Sequence, residues 1–219
     1  MKWREKKNDP WPSTIGIDEH SFIRNKKYGN REFVTMIVDY NNRRLKEVLP
    51  TRISGEMQMQ LNYIRGRENV KNVCMDLSTT YRSFAKSYFP NARIIADKFH
   101  VVRLPLQALQ KYLKQVKVET KEHKLRRKLL LKNAFNLDHD TRSKIHEWIE
   151  KHPNIKEIYL AKETINKVYR CESAGHARKI LIKLTDALAH TSVPELKSLR
   201  KTLMNWMEEI LNYFENRLT

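Results

Sequence analysis

The chain has 219 residues, 40% of them hydrophobic, and a formal charge of +18 from 43 Lys+Arg against 25 Asp+Glu. That is enough apolar material for one large domain or two small ones, and the charge balance favours a polyanion, nucleic acid first, over a neutral or acidic partner, against the plainer reading of a generally basic, soluble surface. No apolar run approaches the ~20 residues that cross a bilayer, and Cys74 and Cys171 have no CxxC spacing. Membrane spans, a signal peptide, a disulfide framework and a zinc site are therefore not expected, and a reducing cytoplasm is.

Residues 1–13 read as a tail. "STIGIDEHSF", "REFVTMIVDY" and "RRLKEVLP" are short and rich in β-formers, and "KKYGN" and "YNN" between them have turn composition, which predicts an antiparallel meander. "GEMQMQLNYIRG" spaces Met57, Leu61 and Ile64 as a helix between Gly55 and Gly66, and "VKNVCMDL" follows as a strand. A helical crossover into a strand implies a parallel addition to the sheet. "YRSFAKSYF" puts Tyr81, Phe84, Ala85 and Tyr88 on one helical face; Pro90 ends it before "ARIIAD", the fifth strand. The order βββαβαβ defines an α/β core over residues 14–104.

After His100 no further strand is evident. "LQALQKYLKQVK" carries Leu106, Leu109, Leu113 and Val116 on one face, with Pro105 tolerable in a first turn or at a kink. Helices follow at about 139–151, 154–169, 173–190 and 194–217, the last opened by a Ser192/Glu195 capping box and carrying a packing stripe through Leu199, Leu203, Trp206, Ile210 and Phe214. Residues 105–219 thus form an all-α region. The run "KEHKLRRKLLLK", with Arg126, Arg127 and Lys128, reads equally as a phosphate-binding stripe and as a solvated helix face.

Three aspartates stand where apolar runs stop: Asp18, Asp76 and Asp97, the last followed by Lys98, His100 and Arg103. In a sheet of this order the first and fourth strands can be neighbours, which brings Asp18 beside Asp76. Two ionised carboxylates a few ångströms apart persist when a divalent cation lies between them or when one holds a proton. Mg²⁺ suits oxygen ligands, and with a third carboxylate two ions ~3.5–4 Å apart activate an attacking water or hydroxyl on a phosphodiester. Singly, each Asp reads as a turn or cap residue; it is the combination with a basic chain that points to a site.

The segments "IGIDEHSF", "VCMDLSTTYRSFAKSYFPNARIIADKFHVVR" and "LMNWMEEILNYFENRLT" resemble the catalytic region of insertion-sequence transposases of the ISL-three group, from about Ile15 to Thr219. The resemblance implies an RNase H-like fold with an Asp-Asp-Glu metal site, Asp18 and Asp76 as the first two ligands of Mg²⁺ or Mn²⁺, and the all-helical stretch as an insertion before the helix bearing the final Glu. It implies that Asp97 and His100 border the site, where the alternative is that Asp97 caps the next helix and His100 packs beside it. Lys98, Arg103, Arg126, Arg127 and Lys128 are the candidate DNA contacts. The expected Glu-Gly-x-Asn motif lies beyond Thr219, and Glu208, Glu209 and Glu215 sit on a helix already explained by packing. The family's amino-terminal zinc-binding and helix-turn-helix segments are also not present. The expectation is therefore a transposase fragment truncated at both ends, nucleoid-associated, binding transposon-end DNA and forming a homo-oligomer or pairing with a full-length transposase. It is not expected to complete phosphodiester hydrolysis and strand transfer alone. The alternative is a non-catalytic basic DNA-binding remnant or regulator.

Overall fold

The computed structural model describes residues 9–24, 31–115 and 127–218, and they fall into two units, one of residues up to 97 with 216–219, the other of residues 98–215. In the first, β1 (Thr14–Arg24), β2 (Arg31–Asp39) and β3 (Arg44–Leu49) precede helix α1 (Ser54–Leu61), β4 (Asn72–Met75), α2 (Thr79–Tyr88) and β5 (Arg93–Ala96). The five strands form one sheet in the order β3-β2-β1-β4-β5, antiparallel across the first three and parallel across β1-β4-β5. The α/β class and the mixed sheet are as expected from the sequence. "KKYGN" lies outside the described residues.

Strand alternation gives the sheet two different faces. Ile15 and Ile17 of β1, Ile37 of β2, Leu49 of β3, Val73 and Met75 of β4, and Ile94 of β5 all enter one core with Met57 and Leu61 of α1 and Tyr81, Phe84, Ala85 and Tyr88 of α2. Trp11 closes it, its ring edge-on to Phe89 at 5.0 Å, while Phe84 stacks on Tyr88 at 5.3 Å. Helix α2 starts where Ser78 Oγ accepts the Tyr81 N–H at 3.3 Å, a side-chain cap that satisfies one of the otherwise orphaned N–H groups. The buried Thr35 is satisfied: its Oγ1 donates to the Thr51 carbonyl at 2.7 Å and lies 2.9 Å from the Tyr81 hydroxyl.

The second unit is helical: α3 (Lys98–Gln115), α4 (His139–Glu150), α5 (Pro153–Val168), α6 (Ala174–Ala187), α7 (Pro194–Asn205), α8 (Met207–Leu211) and α9 (Tyr213–Asn216), with helical residues also at 127–131. The division falls at Asp97/Lys98, not at 104/105, because α3 begins directly after Asp97 and runs on through a buried Pro105. Its core includes Leu109, Leu113, Ile149, Ile158, Ile165, Leu181, Leu196 and Leu203. Lys162 is buried within it, yet its Nζ donates to the carbonyls of Leu130 at 2.7 Å and Lys132 at 2.5 Å and pairs with Glu163 Oε1 at 2.7 Å. The ammonium therefore satisfies the carbonyl end of the 127–131 turn, as a C-terminal cation does on any helix. No helix among the described residues is long and apolar enough to cross a membrane.

Two local expectations are corrected. The single helix expected over 194–217 breaks at Trp206, whose φ of −116° and ψ of 14° leave the helical region while its indole is buried. The Ser192/Glu195 capping box does not form: Val193 holds the N-cap position without a side-chain bond. Glu195 turns inward instead, to Lys111 Nζ at 3.2 Å and Gln115 Nε2 at 3.5 Å.

The turn after β2 is held by Asp39, which is 1% exposed. It accepts the Asn42 N–H at 3.1 Å, Asn42 Nδ2 at 2.7 Å and Arg44 Nε at 3.4 Å. Burial raises this carboxyl, but the Asn42 and Arg44 bonds outweigh it and hold it below 3.8. A depressed folded-state pKa contributes stability that is complete above the unfolded value and is lost as pH falls through 3.8 toward the folded value. Asp39→Asn should accordingly cost about 1–2 kcal/mol at pH 7 and show a shallower loss of stability than wild type below pH ~4, read from urea unfolding across pH.

Candidate functional site: a carboxylate row on the sheet

The parallel register sets Ile17 beside Met75 and Met75 beside Ala96. One step further along the same register come Asp18, Asp76 and Asp97. The Asp97 N–H donates to the Met75 carbonyl at 2.7 Å, so the ladder reaches that step between β4 and β5. Neighbouring strands run about 4.8 Å apart, so the backbone sets three aspartates at one step across β1, β4 and β5. Because the flanking Ile17 and Ala96 belong to the core face, alternation assigns Asp18 and Asp97 to the other one, with Gly16, Cys74 and Ile95, and both act on Tyr40 there; Asp76, just past the end of β4, turns toward α2 and acts on the core-side Tyr81.

Asp18 is not at a strand end: it lies inside the 11-residue β1, opposite Met36 of β2, at the point where β4 stops pairing. Its side chain is exposed, and its Oδ1 accepts the Glu19 N–H at 2.8 Å. Asp76 is half-buried, and its Oδ1 accepts the Ser78 N–H at 3.1 Å in a turn that leads into α2, where Ser78 rather than Asp76 is the cap. Asp97 is half-buried and directly precedes α3. Among the described residues no group of three His, Cys, Asp or Glu side chains stands close enough to enclose a metal ion.

Behind the row lies a residue the sequence reading did not single out. The turn Tyr40–Asn42 is tied to the start of β1, through the Tyr40 N–H on the Thr14 carbonyl at 3.2 Å and Asn41 Oδ1 on the Thr14 N–H at 3.1 Å. From there the Tyr40 ring reaches back over Gly16, so closely that a Cβ on Gly16 would meet its Cε1 at 3.0 Å and its hydroxyl at 3.1 Å. The hydroxyl lies close to Cys74 and feels the charges of Asp97 and Asp18. Burial, then the neighbouring Cys74, Asp97 and Asp18, push this phenol well above its ordinary value, and it stays a donor at all working pH. Burial first and Asp97 second push the Cys74 thiol up to about 12, so it is neither a thiolate nor a nucleophile. A glycine inside a strand pattern is the one sequence signal of such a close approach.

The remaining candidates belong to the helical unit. His100 is half-buried in the first turn of α3, its ring edge-on to Phe99 at 5.7 Å. Lys98 Nζ lies 5.8 Å from the Tyr169 ring and 5.6 Å from that of Tyr213, a cation held by aromatics of its own unit. Arg103 and Lys128 are exposed and Arg127 is half-buried, while Arg126 lies outside the described residues. Of the late glutamates, Glu208 is clasped by Arg178 through two bonds of 2.8 Å and Glu209 is 7% exposed.

A family model of transposases, that of the ISL3 (ISL-three) group, matches residues 15–219. The chain belongs to that family. The match takes in all five strands, save the first residue of β1, and the helical unit alike, from Ile15 to Thr219. This ISL3-group chain is also 20% identical over 208 residues to a transposase for the insertion sequence element IS1001 of Bordetella parapertussis, an alignment that covers 90% of the chain and 50% of the relative. It spans about half the length of that curated relative.

The Tyr40–Gly16 contact yields a sign test. Alanine is ordinarily favoured over glycine in a strand, yet here Gly16→Ala should destabilise by about 1–3 kcal/mol because the ring must move. In a Tyr40→Leu background the same substitution should cost much less, and a double-mutant cycle in denaturant reads the difference as coupling.

Proposed function

We propose that the chain is the catalytic-domain portion of a DNA transposase with an RNase H-like core. In this reading Asp18 and Asp76 bind Mg²⁺ or Mn²⁺, Asp97 and His100 border the site, and the DNA is the end of a mobile element. The observation that carries it is the register placing Asp18, Asp76 and Asp97 at one step of three adjacent strands in a chain of this family. The donor set fits a hard divalent cation: carboxylate oxygens on neighbouring strands, with one oxygen of Asp18 and one of Asp76 each fixed by a backbone N–H. When bound, such an ion supplies activation of an attacking water or hydroxyl and stabilisation of the leaving oxygen of a phosphodiester. The protein's own part is to hold the carboxylates side by side, to keep Tyr40 as a neutral donor behind them, and to attract the phosphate backbone with a formal charge of +18.

A second reading, a basic DNA-binding remnant that regulates or pairs with a full-length transposase, is favoured by one observation: no three metal-competent side chains cluster among the described residues. Asparagine separates the two, since it preserves the backbone bonds of Asp18 and Asp76 while removing their charge. Unfolding curves of wild type, Asp18→Asn and Asp76→Asn are compared in chelator and in excess Mn²⁺. The catalytic reading expects wild type to gain stability from Mn²⁺, as any ligand of the folded state confers. It expects each variant to lose most of that gain and to be unchanged or about 1 kcal/mol more stable in chelator, where like charges no longer repel. Destabilisation of both variants without any dependence on metal would leave the remnant reading.

A further inference from the structure

The "ADKFHVVR" segment contains a side chain that the carboxylate row does not use. Phe99, the second residue of α3, is 64% exposed, and the guanidinium carbon of Arg103, one turn along, lies 5.7 Å from its ring centroid. The arrangement recurs at Phe135, 73% exposed with Arg170 over its ring at 5.2 Å. These are the exposed phenylalanines among the described residues, and each carries an arginine. A large aromatic ring on the surface is unfavourable in water, and a cation over its face offsets only part of that.

The rest of α3 adds charge of one sign. Its 18 residues include Lys98, Arg103, Lys111 and Lys114 and no Asp or Glu, and the exposed positions after Arg103 are Gln107, Gln110, Lys111, Lys114 and Gln115. An exposed ring flanked by a guanidinium, at the head of an acid-free cationic helix side, has the chemistry that recognises a nucleobase and the backbone leading from it. A duplex base has both faces covered by its neighbours, so the ring suits a base that is unpaired and unstacked. Resting on the DNA reading above, we propose that Phe99 and Arg103 form a stacking site for an unpaired nucleobase, with Lys114, exposed further along the same side of α3, on the adjoining phosphates.

Binding of a labelled single-stranded oligonucleotide and of a duplex of the same length, to the full chain at fixed low salt, tests this. Wild type should bind both. Phe99→Ala should weaken single-strand binding by about tenfold, the scale of losing one base–aromatic stack, and leave duplex affinity unchanged. Phe99→Trp should restore single-strand affinity, and Phe99→Leu, apolar but without a π face and thus the substitute where the alanine variant does not fold, should not. Lys114→Ala should weaken both DNA forms to a similar extent. Equal single-strand affinity of wild type and Phe99→Leu, or equal losses on both DNA forms, would overturn the stacking site while leaving DNA binding intact. Failure of wild type to bind either DNA would overturn the DNA reading and the stacking site with it.

Discussion

The parallel pairing of β1 with β4 is the constraint on which the rest of the first unit depends. In the register Ile15–Val73 and Ile17–Met75, the apolar residues of both strands fall on one face, against α1 and α2, and the residues between them fall on the other. Side-chain direction alternates with period two, so a slip of one residue in β4 would expose Val73 and Met75 and take Asp76 out of step with Asp18. Core burial thereby fixes the carboxylate row: the hydrophobic effect, which has no direction of its own, acquires one through the ladder. The same register puts Gly16 beside Cys74, which opens the space that Tyr40 fills.

Much of this was legible in the sequence because it is written in local patterns. Three β-rich runs followed by helix, strand, helix, strand gave the order of elements, and the apolar residues of "TIGI", "VKNVCM" and "RIIA" mark the core face by alternation. What local pattern does not contain is length: Asp18 reads as a strand end because the apolar run stops there, whereas β1 continues to Arg24 by pairing with β2 alone. Tyr40 was not legible because its role depends on contacts with Gly16 and Cys74, which are distant in sequence. Pro105 reads as a first-turn or kink residue, whereas α3 already begins at Lys98 and carries it as a buried interior residue. The Ser192/Glu195 pattern predicted a cap from spacing alone, but the buried glutamate pairs instead with the exposed Lys111.

The helical unit shows a different logic, in which buried charge is tolerated where it is fully bonded. Burial lowers the Lys162 ammonium, yet two backbone carbonyls and Glu163 surround it, and removing any one partner would leave a charge in the core. On the exposed sides the unit instead shows arginine on phenylalanine, an arrangement that packing does not require. Interior bonding and surface chemistry thus separate within one unit: the former explains why the helices hold together, the latter what they are able to meet.

The central claim is that Asp18 and Asp76 are brought side by side by strand register so as to share a divalent cation. Anomalous X-ray scattering from crystals of the chain soaked in Mn²⁺ addresses it directly, because the ion is located by its own signal. The account predicts an anomalous peak about 2.0–2.3 Å from carboxylate oxygens of both Asp18 and Asp76, within ordinary coordination distances for a hard divalent ion. Two well-ordered carboxylates with no peak between them, or a peak only elsewhere on the molecule, would contradict it.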